Sequence, residues 1–150
     1  MSTVQEIESN IVKWIKEEQW KYTKVETTDF AVCYKVDLNK DHELTVAYIQ
    51  NAERFIIDHK MALTKERDIG YKLSLNKYKY KFMFQIESEL LPMTMFLNFE
   101  PSIENLHTIR VYKFIHLGEF DRAKFVDTLH EIEHVIDMID EAWMNMEKDI

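Results

Sequence analysis

Glycine is almost missing from this chain of 150 residues, with Gly70 and Gly118 the only two. A P-loop, a dinucleotide fingerprint and a nucleophile elbow each need several glycines to turn tightly and approach a phosphate or oxyanion closely, so none can be built here. Cysteine is scarcer still. Cys33 stands alone, which excludes an intramolecular disulfide and reads as a reduced, cytoplasmic protein. It could act as a nucleophile only with a histidine beside it in space, and a cysteine within a strand is usually a small structural residue. No segment approaches the roughly 20 apolar residues needed to span a bilayer, and the first residues carry no basic stretch followed by an apolar run. The two prolines, Pro92 and Pro101, mark ends of elements.

What is present is a hydrophobic content of 46%, enough for one ordinary domain over residues 1–150 with a core that needs neither disulfide nor metal. The formal charge of −8 argues against general affinity for nucleic acid or an anionic membrane, because phosphate binding draws on a surplus of lysine and arginine. The charge is unevenly placed. Glu119 to Ile150 holds ten acidic and three basic residues, whereas Leu63 to Lys81 holds six basic and two acidic. Opposed patches of this kind suit packing within the fold, or between two copies of it.

The longest periodic stretch is the last. Phe125, Leu129, Ile132, Ile136, Ile139, Trp143 and Met146 recur at steps of four and three, which predicts a helix over about Asp121 to Glu147 with one buried face. Asp121 suits its N-cap, and Phe120 with Phe125 suits a hydrophobic staple. Ser2 with Gln5, or Thr3 with Glu6, can form a capping box for a first helix to about Gln19, marked by Val4, Ile7, Ile11, Trp14 and Ile15. A polar link follows. Phe30 to Leu38 alternates as a half-buried strand does, Asn39 to His42 makes a turn, Leu44 to Gln50 is apolar on both faces, and Arg54 to Ala62 alternates again. Lys77 to Glu87 alternates almost strictly, yet Tyr71, Leu75, Tyr78, Phe82, Ile86 and Leu90 also follow helical spacing; residues 73–91 fit either type, and their length and Pro92 favour a helix. Met93 to Phe99 and His107 to Leu117 read as strands around a loop at Pro101.

The expected order is α-β-β-β-α-β-β-α, an α+β domain with an antiparallel sheet of about five strands and helices packed on it. The Trp14 to Glu18 run WIKEE, the middle KFMFQIESELLPM and the Phe120 to Val126 start of the last helix together resemble a family of uncharacterised prokaryotic, largely archaeal, proteins. That family is grouped with the type III secretion chaperone-like fold, which also includes the YbjN-like proteins. The resemblance implies that fold, a tendency to dimerise and an analogy to proteins that hold other polypeptides; it brings no catalytic motif, and fold does not fix function.

Several local patterns could carry chemistry. His130-Glu131-Ile132-Glu133-His134 is a literal H-E-x-x-H, the spacing that gives zinc hydrolases two ligands and a general base on one helical face. Here His130, Glu131 and His134 fall on the face away from the apolar stripe, and only Asp137, Asp140 or Glu141 follow as a third ligand, so a solvated acidic face is the better reading of His130 and His134. Lys72, Lys77, Lys79 and Lys81, interleaved with Tyr71, Tyr78 and Tyr80, resemble a surface for single-stranded nucleic acid, but in an acidic protein they read better as solvated lysines beside tyrosines at the core edge. His42, His59, His107 and His116 share no spacing. Met138 and Met144 lie off the core stripe of the last helix, and Met93 and Met95 flank a short strand; eight methionines suit adaptable protein contacts. The expectation is a non-enzymatic protein-interaction or chaperone-like module, homodimeric, with no cofactor and no nucleic-acid or membrane partner.

Overall fold

A computed structural model of the chain describes residues 3–38 and 42–148. Four helices and six strands follow one another as α1 (Val4–Glu17), β1 (Lys21–Lys24), β2 (Val32–Leu38), β3 (His42–Ile49), β4 (Arg54–Ala62), α2 (Lys65–Leu73), α3 (Asn76–Leu90), β5 (Phe96–Pro101), β6 (Leu106–His116) and α4 (Arg122–Lys148). The strands form one antiparallel sheet in the order β1-β2-β3-β4-β6-β5. The fold class is the expected α+β one, with two differences. The polar link after α1 holds β1, and the single middle helix is two. Both have a local cause. All four side chains of β1 are exposed, so no apolar alternation marks it; its backbone pairs with β2 in register Lys21↔Asp37 to Lys24↔Tyr34, and the Tyr22 ring meets Tyr34 edge-on at 6.0 Å. The expected turn at Asn39 to His42 lies, but for His42, outside the described residues, as does Ser2 of one expected capping box.

The chain forms two compact units. The first runs to His59 and takes in Lys113–Glu133. Thr3 caps α1, its Oγ1 accepting from the Glu6 amide at 3.1 Å, and Ile7, Ile11 and Ile15 are its buried face. In β2, Val32, Tyr34, Val36 and Leu38 are buried on one period, paired with β3 in register Val32↔Tyr48 to Leu38↔His42. The start of α4 is the expected one. Asp121 accepts from the Lys124 amide at 2.8 Å, and the Phe120 and Phe125 rings meet edge to face at 5.8 Å. Trp14 tilts against both rings, and Phe55 of β4 stacks on Phe120 at 3.6 Å. At its polar side Glu8 accepts from the Tyr34 hydroxyl at 2.6 Å and pairs with Lys24 at 2.9 Å, and these two contacts, the hydroxyl foremost, hold its carboxyl below the usual carboxylate range.

The second unit comprises Lys60–Tyr112 and the chain from His134 onward. Thr64 caps α2, accepting from the Arg67 amide at 3.2 Å; Ser74 and Leu75 are extended, and α3 starts afresh behind Leu75 without a side-chain cap. Tyr71, Phe82, Ile86 and Leu90 are buried, but Leu75, which the helical spacing put on the same face, is 60% exposed at the break between α2 and α3. Trp143 is the centre, stacked on Tyr71 at 5.5 Å and set edge to face on Phe82 at 5.3 Å. β5 pairs with β6 from Phe96↔Tyr112 to Pro101↔Leu106.

With so little glycine, left-handed backbone falls on other residues. Thr94, between α3 and β5, has φ 51° and ψ 36°. A β-branched side chain is poorly suited to that region. Thr94→Gly is expected to raise stability by about 0.5–1 kcal/mol, net of the extra freedom glycine gives the unfolded chain, read from the urea midpoint.

Candidate protein-interaction surface

Among the described residues nine large apolar side chains stand exposed, and eight of them belong to the second unit. Seven of the eight gather on α2, α3 and the stretch into β5, and Met144 is on α4. Leu73 is 77% exposed, Phe84 61% and Leu91 80%, with Ile69, Leu75 and Phe96 each more than half exposed. A helix that buries one face usually gives the other to charge, but α3 carries apolar residues on two. Its buried face is Phe82, Ile86 and Leu90; Tyr80 and Phe84 stand, at 3.6 residues per turn, roughly 130° away. This accounts for the alternation of Lys77 to Glu87. Apolar residues at every second position of a helix populate both sides of it, and the signal for a second surface was in the sequence as an apparent strand.

Leu91 continues into a groove of about 300 Å³ lined by Glu87, Leu90, Leu91, Met95, Phe96 and Leu97. Beside it β5 ends the order of the sheet, so one side of its backbone is an edge. Of the methionines expected at contacts, Met95 is buried at the wall of this groove and Met93 is half-buried in the turn before it; Met144 is exposed and Met138 half-buried on α4.

The basic-aromatic run is divided. Lys79 is only 5% exposed; its ammonium donates to the Glu104 carbonyl at 3.0 Å and sits 4.8 Å from the Tyr71 ring centre. Tyr71 donates to the Ile103 carbonyl and Tyr80 to the Glu104 carboxylate, so three of the run's residues fasten the loop before β6. Burial holds the Tyr71 hydroxyl above its ordinary range, and the Glu104 carboxylate does the same for Tyr80. Lys72 pairs with Asp68 at 3.1 Å, and Lys77 lies over Tyr78. What remains outward is too little for a tract that stacks successive bases.

On α4, His130 is exposed, with Nδ1 3.9 Å from Glu133 and its ring edge-on to Trp20 at 5.5 Å; His134 is exposed as well. Glu131, the residue that would serve as general base, instead accepts from Lys113 with both oxygens at 3.2 Å. Among the described residues no three histidine, cysteine, aspartate or glutamate side chains gather as a metal set. His42 and His59 come within 6.0 Å between ring centres, a pairing across strands that linear spacing does not reveal. Cys33 is buried, and burial pushes its thiol pKa up, the reverse of an activated nucleophile. No described helix is long and apolar enough to cross a membrane.

An antiparallel six-stranded sheet with four helices in this order is the type III secretion chaperone-like fold, shared with YbjN. The chain belongs to the family described as "Uncharacterized conserved protein (DUF2299)", whose sequence model matches residues 7–141. No curated protein matches it. Among solved structures it is similar to an uncharacterized protein from Methanothermobacter thermautotrophicus, with a TM-score of 0.76 at 16% identity over 94% of this chain and 99% of that one. It is also similar to YbjN from E. coli, a protein proposed as a transcription regulator, with a TM-score of 0.57 at 8% identity over 92% and 88%. A chain of the ExsC-ExsE complex matches with a TM-score of 0.54 at 10% identity over 90% and 92%. At these identities the likeness speaks for the fold.

Proposed function

We propose that the chain, acting as a single cytoplasmic domain, is a non-enzymatic protein-interaction module of chaperone-like type that forms a homodimer and holds another polypeptide. The observation that carries this reading is the concentration of exposed apolar side chains on α2, α3 and the turn into β5, where a soluble surface would ordinarily be charged. The β5 edge beside the apolar groove suits an extended polypeptide, which adds backbone hydrogen bonds along the edge and seats alternate side chains in the groove. One neighbour of the same fold is itself part of a two-protein complex, ExsC-ExsE, which supports the analogy.

The test has two arms. Light scattering on untagged protein over a concentration series, with metal assayed on the same sample, is expected to give a metal-free dimer; a monomer at every concentration overturns the dimer. At equimolar ratio the protein is expected to slow the aggregation of an unrelated protein unfolding on warming, and L91S/F96S, changed only at exposed positions, to lose most of that effect. If the wild-type chain does not slow aggregation, the holding role is overturned.

A further inference from the structure

A cleft of about 360 Å³ lies within the second unit, between α3 and the last turns of α4, away from the groove beside β5. Tyr78, Lys81, Phe82 and Gln85 follow at steps of three, one and three, so one side of α3 forms its first wall. Ala142, Asn145 and Met146 form the second, from α4. Phe82, Ala142 and Met146 are buried and make an apolar floor, whereas Lys81, Asn145 and Lys148 are exposed about it. The charge is the unusual part. Among the described residues that line the cleft are two lysines and no carboxylate, in a chain of formal charge −8 whose last segment is its most acidic. Two acids of that segment have partners elsewhere: Asp140 accepts from Arg67 at 3.1 Å, and Glu147 accepts from the Trp143 indole at 2.7 Å.

We propose that this cleft binds a small organic carboxylate with a flat aromatic or short aliphatic body. The body rests on the apolar floor, and the carboxylate is held by the ammonium groups of Lys81 and Lys148, with the Gln85 and Asn145 amides and the Tyr78 hydroxyl as further donors. The volume favours an organic anion over an inorganic one. It falls at the small end of the range for organic ligands, and a bare phosphate would leave the floor covered by water. A phosphate ester suits it less, because phosphate sites draw on arginine forks or on successive backbone amides of a turn, and here the walls are the sides of two helices. Lys81 thereby takes a task of its own within the basic run: Lys79, two positions earlier, fastens the loop before β6, and Lys81 serves the cleft. Neither a dimer nor a held polypeptide is needed for this site.

The test is titration of the nitrogen-labelled protein with phenylacetate and, separately, hexanoate to about 10 mM, a range suited to ligands of so few atoms, followed by amide NMR shifts. At least one of the two is expected to give saturable shifts centred on Tyr78, Lys81, Gln85 and Asn145. Phenylacetamide, which keeps the body and removes the charge, is expected to bind at least about tenfold more weakly, as is the carboxylate to K81M/K148M, whose changes lie at exposed positions and keep the side-chain stems. An unchanged spectrum away from the cleft shows that this variant folds. Absence of saturable shifts with both carboxylates overturns the site. Equal binding of phenylacetamide, or undiminished binding to the double variant, overturns the role of the lysines, and inorganic phosphate moving the same amides at the same concentrations overturns the organic body.

Discussion

Trp143→Ala is expected to cost about 3–5 kcal/mol, the largest loss of any single substitution in the second unit. Trp143 is 2% exposed and supports three kinds of contact at once. Tyr71 stacks on one face, Phe82 meets the ring edge to face, and the Arg67 guanidinium stands 5.4 Å from the ring centre while bonding Asp140 at 3.1 Å. The indole Nε1 donates to Glu147 at 2.7 Å, so even its polar atom is used. Removing the side chain leaves a cavity lined by two large aromatics that cannot both move in, because Tyr71 is tied by its hydroxyl to Ile103 and Phe82 is fixed on α3. Trp143→Phe keeps most of the volume and should cost roughly half as much. Urea denaturation followed by circular dichroism reads both, and an alanine variant within about 1 kcal/mol of the wild type would mean that this aromatic cluster is not what holds α2, α3 and the end of α4 together.

The residues around Trp143 also show what a sequence discloses and what it conceals. Every member of the α4 stripe from Phe125 to Met146 is at most 4% exposed; a long helix buried along one face sets seven apolar residues at its period, which local propensity cannot mask. The staple of Phe120 and Phe125 was legible for a related reason: its partners lie within one turn of each other. β1 was not legible. Its KYTK buries no side chain, and what makes it a strand is pairing with the backbone of β2, which comes later in the chain. The break at Ser74 was hidden by its neighbours, since Tyr71 and Phe82 keep a common core face on either side of it. As to the interaction surface, the methionines drew attention through composition, whereas Phe84 did not, because an exposed aromatic inside an alternating run is indistinguishable from the inner face of a strand until the helix is known. The doubled periodicity of Lys77 to Glu87 was the signal, and it needed a structure to say which face was which.

Lys79 marks the same division inside a single run of like residues. Lys79→Ala is expected to cost about 2 kcal/mol, whereas Lys77→Ala, two positions earlier and exposed, should stay within about 0.5 kcal/mol. The difference follows from what each ammonium meets. Lys79 donates a charge-assisted bond to the Glu104 carbonyl, stands over the Tyr71 ring and lays its stem along the interior of the second unit. Alanine removes all three contacts and leaves that carbonyl without its donor; methionine keeps the stem and should recover about half of the loss. The loop is where the effect should appear first. Asn105 bonds Ser102 through its amide at 3.1 Å, and that amide is expected to exchange faster with solvent in Lys79→Ala than in Lys77→Ala. Lysines arrayed for a nucleic-acid strand would behave in the opposite way, each contributing little to folding and a similar increment to a salt-sensitive affinity. An equal and negligible loss of stability at both positions would return the run to the solvent and reopen that reading. A large loss at Lys79 alone makes it a fastening of the loop.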